Sequence, residues 1–169
     1  MNLHEWNERY RTTDGVEIDH EPAPLLLQAA GELPPGRALD LACGAGRNAS
    51  WLVSRGWEVV AIDGAAEAIR IVREHEPRID ARVLDLETDA PLPFEDESFD
   101  LVAILFYLYR PLFAEARRVV RRNGIVVAAA RMSGSFAIAP GELRSYFESD
   151  EVLHQREGEI AEMIIRRRA

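Results

Sequence analysis

Leu39-Asp40-Leu41-Ala42-Cys43-Gly44-Ala45-Gly46-Arg47-Asn48, residues 39–48, passes from a short apolar run through two glycines into a helix-forming segment. Ala38 to Leu41 reads as a buried strand. Ala49, Leu52 and Val53 then recur at helical spacing until Gly56 ends the pattern. Gly44 and Gly46 remove side chains where a ligand would need the backbone close, and the free amides and positive end of the following helix point to the same place. Residues 44–49 also satisfy the loose GxGxxA pattern of dinucleotide-binding folds, while a plain tight turn would need no ligand at all.

Outward from this unit the same alternation repeats. Glu58 to Ile62 is a second predicted strand. Ala65, Ala68, Ile69 and Val72 mark a helix that Pro77 forbids from continuing. Ala81 to Leu84 and Asp100 to Phe106 are predicted strands, Pro111 opens a helix through Leu112, Ala116, Val119 and Val120, and Asn123-Gly124 turns the chain into a fifth strand from Ile125 to Ala130. Strands joined by helix-length crossovers must run parallel, because tight turns cannot connect parallel neighbours. After a short helix near Leu143, Tyr146 and Phe147, Glu151 to Arg156 and Ile160 to Arg166 flank Glu157-Gly158-Glu159 as a β-hairpin on the sheet edge. The expected class is therefore α/β, a Rossmann-like doubly wound, mostly parallel sheet of five parallel strands plus a C-terminal hairpin, with helices on both faces. A single domain over 1–169 is expected, with an N-terminal helical segment (1–30), a core (37–130), and a closing helix and hairpin (131–169).

The N-terminal segment carries Leu3, Trp6, Asn7 and Tyr10 on one helical face, with Asn2 and Glu5 spaced as a capping box, and a second helix is predicted from Ala23 to Ala30, stopped by Gly31. So short a helix needs something to pack against, either a ligand cleft that it closes as a lid or merely the sheet rim.

Of 169 residues, 20 are basic and 29 acidic, a net charge of -9 that disfavours nucleic acid and anionic membranes as partners and leaves small molecules. Arg166-Arg167-Arg168 reads as a solvated end rather than a nucleic-acid patch. The longest apolar run, Leu101 to Tyr109, is about half of the roughly 20 residues that span a bilayer, and the first residues lack a secretory pattern; a cytoplasmic protein is expected. One cysteine, Cys43, and four histidines without ligand spacing predict no metal site. Cys43 sits in the turn after a central strand with no histidine nearby in sequence and reads as packing rather than as a nucleophile.

Two further carboxylates fall at strand ends. Asp63 could accept both hydroxyls of a ribose or cap the helix after Gly64; Asp85 could accept an adenine amino group or turn a solvated loop. Tyr107, Tyr109, Arg110, Arg131 and Met132 follow the fourth and fifth strands and form a candidate acceptor pocket, or else pack the sheet rim.

Asp40 to Gly46, then Asp63, Asp85-Leu86, Leu92-Pro93-Phe94 and Ser98 through Val102 resemble class I S-adenosylmethionine-dependent methyltransferases over nearly the whole chain. Gly46-Arg47-Asn48, Arg110-Pro111-Leu112-Phe113, and Phe136-Ala137 with Pro140 through Phe147 resemble the tellurite-resistance group among them. The chain departs from that group at Glu157-Gly158-Glu159 and in a shortened segment after Arg131. The resemblance implies S-adenosyl-L-methionine as methyl donor. It implies Gly44 and Gly46 beside its methionine moiety, Asp63 on the ribose, Asp85 and the Leu86 amide at adenine, and Leu105 and Phe106 near the methyl. Trp6 and Tyr10 would fold over the cofactor, and Asp40 and Asn48 join the binding set. Methyl transfer is an in-line displacement served by alignment in a dry pocket, and a soft acceptor such as a thiolate or reduced chalcogen needs no base. The alternatives are a protein that binds the cofactor without turnover, and a dinucleotide-binding oxidoreductase.

Overall fold

The computed structural model describes residues 2–12 and 19–169. In chain order it contains α1 (Leu3–Thr12), α2 (Pro24–Ala30), β1 (Arg37–Leu41), α3 (Arg47–Ser54), β2 (Glu58–Asp63), α4 (Ala66–His75), β3 (Asp80–Val83), β4 (Phe99–Leu105), α5 (Pro111–Val119), β5 (Val120–Arg131), α6 (Glu142–Ser145), β6 (Glu151–Arg156) and β7 (Ile160–Arg166). The strands form one sheet in the order β3-β2-β1-β4-β5-β7-β6. β1 through β5 are parallel; β7 runs antiparallel to β5 and carries β6 on its outer edge.

The central strands are apolar on both faces because both faces are covered. Ala38, Ala61, Leu101, Ala103, Leu105, Val127 and Ile164 pack under α2, α3 and α4. Leu39, Leu41, Ile62, Val102, Ile104, Val126 and Ile165 pack on the other side against Leu112, Phe113, Ala116 and Val119 of α5 and against Leu143 and Phe147. From β1 the chain winds outward to β3, then returns to place β4 on the other side of β1. That reversal leaves a crevice beyond the carboxyl ends of β1 and β4, where open α/β sheets bind ligands.

The hairpin lies on the sheet edge as expected, β7 pairing with β5 and β6 standing outermost. Two expectations need correction. Asn123-Gly124 does not precede the fifth strand but lies within it. Pairing jumps from Phe99–Val120 to Leu101–Ile125, Asn123 adopts φ +63°, and residue 167 bonds to both Asn123 and Gly124, so the turn survives as an irregularity in a longer strand. Nor is the arginine end solvated throughout: Arg166 and Arg168 keep 40% and 64% of their side chains exposed, but Arg167 does not. Arg167 keeps only 14% of its side chain exposed and donates to the carbonyls of Arg118 and Val120, where the carboxyl end of α5 attracts a cation.

Candidate active site

A cleft of about 750 Å3 opens at the crevice beyond β1 and β4. Its floor is the glycine turn. Both oxygens of Asp63 are used there: Oδ2 accepts the Gly44 N–H at 2.9 Å and Oδ1 accepts the Ala65 N–H at 2.9 Å. The carboxylate therefore ties the β1–α3 turn to the β2–α4 turn, which joins the capping and the cleft-facing readings of this residue, since it also lines the cavity. Burial pushes its pKa up, opposed by the N–H groups of Ala65, Gly44 and Gly64.

Non-glycine residues in left-handed backbone mark the ends of both central strands, Ala42 at φ +59° after β1 and Phe106 at φ +61° after β4. Phe106 is thereby left 46% exposed along the cleft instead of continuing the buried alternation of β4.

Nine of the expected cofactor residues line this cavity: Trp6, Tyr10, Gly44, Asn48, Asp63, Asp85, Leu86, Leu105 and Phe106. Two do not. Gly46, at φ +90°, is the residue before α3, and a Cβ there would meet Val72 of α4 at 2.9 Å; its missing side chain serves helix packing. Asp40 lies beneath the cleft, buried, and its Oδ2 has no hydrogen-bond partner among the described residues. Burial, reinforced by Asp63, lifts its pKa to about 7 against the pull of Arg47 and the Ala49 N–H. Gly44 does face the cleft, but the atom nearest its missing Cβ is the Tyr10 hydroxyl, at 2.9 Å from where that Cβ would stand. Asn48 spends its Oδ1 on the Ala23 N–H at 2.8 Å, which fixes the start of α2. Asp85 accepts the Glu87 N–H at 2.9 Å, as a turn-forming aspartate does, while remaining exposed to the cavity.

The candidate acceptor residues are dispersed. Tyr107 lines the cleft and donates to Glu87 Oε1 at 3.0 Å. Tyr109 borders a separate, mostly apolar cavity of about 340 Å3 between the β3–β4 loop and α5. Arg110 is held by Glu142; Arg131 is exposed at the end of β5, and Met132 packs against the core on the α5 side. Sequence reading missed Arg9, Asp19, Arg47 and Glu87 as cleft residues. Arg9 could have been found from its i+3 spacing to Trp6, over whose ring it lies at 5.3 Å, and Glu87 from its place two residues after Asp85. The Arg47–Asp19 ion pair at 2.7 Å joins positions 28 residues apart and left no local signal.

The groups that could move protons are poorly disposed to do so. Burial lifts the Tyr10 hydroxyl to about 12 and raises the Cys43 thiol, each further disfavoured as an anion by Asp63, and burial with the Glu87 bond raises Tyr107. No histidine stands among the described residues of the cleft. No group of three His, Cys, Asp or Glu among the described residues could hold a metal ion, and no described helix is long and apolar enough to cross a membrane.

A doubly wound sheet with its ligand crevice at the reversal of strand order, floored by a glycine turn and a strand-end aspartate, defines an α/β nucleotide-cofactor domain. Residues 39–128, more than half of the chain, match the methyltransferase domain family model, and the chain belongs to that family, whose methyl donor is S-adenosylmethionine. A demethylmenaquinone methyltransferase of Renibacterium salmoninarum is 34% identical over 110 residues, 62% of this chain and 45% of that one. A malonyl-[acyl-carrier protein] O-methyltransferase of Methylococcus capsulatus is 38% identical over 94 residues, 53% of this chain and 34% of that one. The chain spans about half the length, or less, of the curated relatives it matches. In fold it resembles TehB from Haemophilus influenzae (TM-score 0.76, 21% identity, 96% of this chain and 66% of that one). A TehB-like methyltransferase from Corynebacterium glutamicum is similar in the same sense (TM-score 0.74, 19% identity, 98% of both chains).

Proposed function

We propose that this protein, as one methyltransferase domain over 1–169, transfers a methyl group from S-adenosylmethionine to a small molecule whose reacting atom is a soft nucleophile, a thiolate or a reduced chalcogen. The observation that carries the reading is that the described residues of the cleft include no histidine, and that Asp85 there already accepts the Glu87 N–H. Tyr10, Tyr107 and Cys43 keep their protons at neutral pH, while Asp19, Asp63 and Glu87 are engaged by Arg47, by backbone amides and by Tyr107. An acceptor that arrives ionised needs only alignment and exclusion of water.

The residues present fit the cofactor. A cationic ligand meets an acidic cavity, with the unpartnered Asp40 oxygen beneath it and Asp63 lone pairs at the carboxyl end of β2. The sulfonium supplies the methyl group and loses its positive charge in the transfer. Asp63 and Asp85 hold the nucleoside, the Leu86 amide adds a donor at its base, and the turn at Gly44 passes the amino-acid end. Leu105 and Phe106 wall the reacting side, where Trp6 and Tyr10 set ring faces against the cation and exclude water. Phe106 and Tyr107 then begin the acceptor side, whereas Tyr109, Arg110, Arg131 and Met132 stand outside this cleft. Placement near the tellurite-resistance group rests on the motifs at 46–48, 110–113 and 136–147. The reducing cytoplasm is the matching compartment for such acceptors.

Incubating the protein with S-adenosylmethionine and a panel of thiols, selenite, tellurite and hydroxylated metabolites, and measuring S-adenosylhomocysteine, tests the reading. Product with thiol or chalcogen acceptors is expected. Turnover only with hydroxyl acceptors would overturn the acceptor class, and tight binding without turnover across the panel would make the protein a binder. Preference for NAD over S-adenosylmethionine would favour an oxidoreductase.

A further inference from the structure

We infer that Asn7 is a positioning residue of the cleft: its amide oxygen caps α4 from a different helix, and this bond sets α1 so that Trp6 and Tyr10 face the cofactor. The inference rests on the reading of the cleft as the S-adenosylmethionine site. α4 has no side-chain cap of its own, because Ala65 occupies the position where a serine, threonine, aspartate or asparagine would stand. Asn7 Oδ1 accepts the Glu67 N–H at 3.1 Å instead, the amide that a cap residue would satisfy.

α1 packs shallowly against the body. Its own start is closed by the capping box, Asn2 N–H to Glu5 Oε2 at 2.7 Å and Glu5 N–H to Asn2 Oδ1 at 2.9 Å, but no residue of the helix is fully buried and Leu3 stays 44% exposed. The helix touches the body beside two turns. On one side Leu3 lies over Gly64, so close that a Cβ there would stand 2.6 Å from its Cδ2, with Asn7 one turn further along at Glu67. On the other side the Tyr10 hydroxyl lies over Gly44. These are the two turns that Asp63 joins through Gly44 and Ala65. The position of α1 is thus referenced to the carboxylate that faces the cofactor, and of the contacts named, only the Asn7 bond is a directional hydrogen bond from α1 to the body. Its partner amide would be left without an acceptor by an apolar side chain of equal size, which makes the bond a latch that resists rotation of α1 about its axis.

The test compares the full chain with Asn7→Leu and Asn7→Asp, by calorimetric titration of S-adenosylmethionine and by amide exchange without ligand. Asn7→Leu should weaken binding by about five- to tenfold and speed exchange at Glu67 and across residues 3–12. Asn7→Asp, which keeps an accepting oxygen at the positive end of α4, should bind within about twofold of the parent. Parent-like binding by Asn7→Leu with faster exchange at Glu67 would overturn the inference, since the cap would then serve α4 alone; unchanged exchange at Glu67 would overturn it by denying the bond. A parent protein that takes up no S-adenosylmethionine would remove the cofactor reading. Exchange over 3–12 in Asn7→Leu would then decide the docking by itself, faster exchange upholding it and unchanged exchange ending it.

Discussion

α1 and the β6–β7 hairpin are both additions to a five-stranded parallel core, yet they are attached in opposite ways. β7 pairs with β5 along seven residues, buries Ala161, Met163, Ile164 and Ile165, and is anchored at its end by Arg167. Asp150, just before β6, is buried and accepts two bonds from Arg117 of α5 and one from the Arg168 N–H. α1 buries nothing fully and rests on the rim of a cavity. A segment that must stay fixed is bonded into the sheet and filled with apolar side chains, whereas a segment proposed to pack over a ligand would leave part of its packing to that ligand.

That contrast breaks if the hairpin can be loosened cheaply. Asp150→Ala should destabilise the protein by about 3 kcal/mol in urea titration, because Arg117 loses a buried partner and the Arg168 amide its acceptor. A cost below about 1 kcal/mol would put the hairpin on the same footing as α1. Asp63→Ala should weaken S-adenosylmethionine binding by about 2 kcal/mol, through lost bonds to the ribose and a slackened floor beneath α1. Unchanged calorimetric affinity in a folded variant would mean that Asp63 only ties the two turns together.

Asp40 sharpens the comparison from beneath the cleft. With its pKa lifted to about 7 by burial, the folded state holds this proton more tightly than the unfolded chain, so its contribution to stability is present at pH 4 and is lost as pH rises through 7. Asp40→Asn should therefore match the parent near pH 4 and exceed it at pH 8, the gap opening as pH rises from 4 to 7, while binding S-adenosylmethionine more weakly. Melting curves across that range check the first part, and a pH-independent difference would contradict it. The smallest effect is expected from deleting residues 2–12. Stability without ligand should fall by only about 0.5–1 kcal/mol, the worth of the Asn7 cap on α4, and the stabilisation added by S-adenosylmethionine should shrink. A deletion that unfolds the sheet would make α1 permanent core.

Much of this architecture was legible along the chain. The apolar runs at 38–41, 58–62 and 100–106, each followed by a turn and helical spacing, set strand order of appearance and parallel direction, since a crossover of helix length has few other solutions. The hairpin bounds 151–156 and 160–166 coincide with the observed strands because alternation and a glycine turn are local signals. Asp63, Asp85 and Gly44 were legible as cleft residues for a similar reason, as they fall at strand ends and the strand ends share one edge.

What local spacing could not express was partnership between distant segments. Gly46 reads as a ligand-facing glycine, but the helix 26 residues later, through Val72, determines what its missing side chain makes room for. Arg167 reads as a solvated end until the carboxyl terminus of α5 is brought beside it. Tyr107 and Arg110 are three residues apart, yet one lines the cleft and the other is drawn to Glu142, because the chain turns into α5 between them. The sequence by itself determined the sheet, its winding and the edge where chemistry is placed, all of which follow from periodicity and chain connectivity. Only the tertiary structure decided which side chains face the cavity, which carboxylate oxygen is left without a partner, and that α1 is capped onto α4, because each of these depends on packing between elements that the chain does not make neighbours.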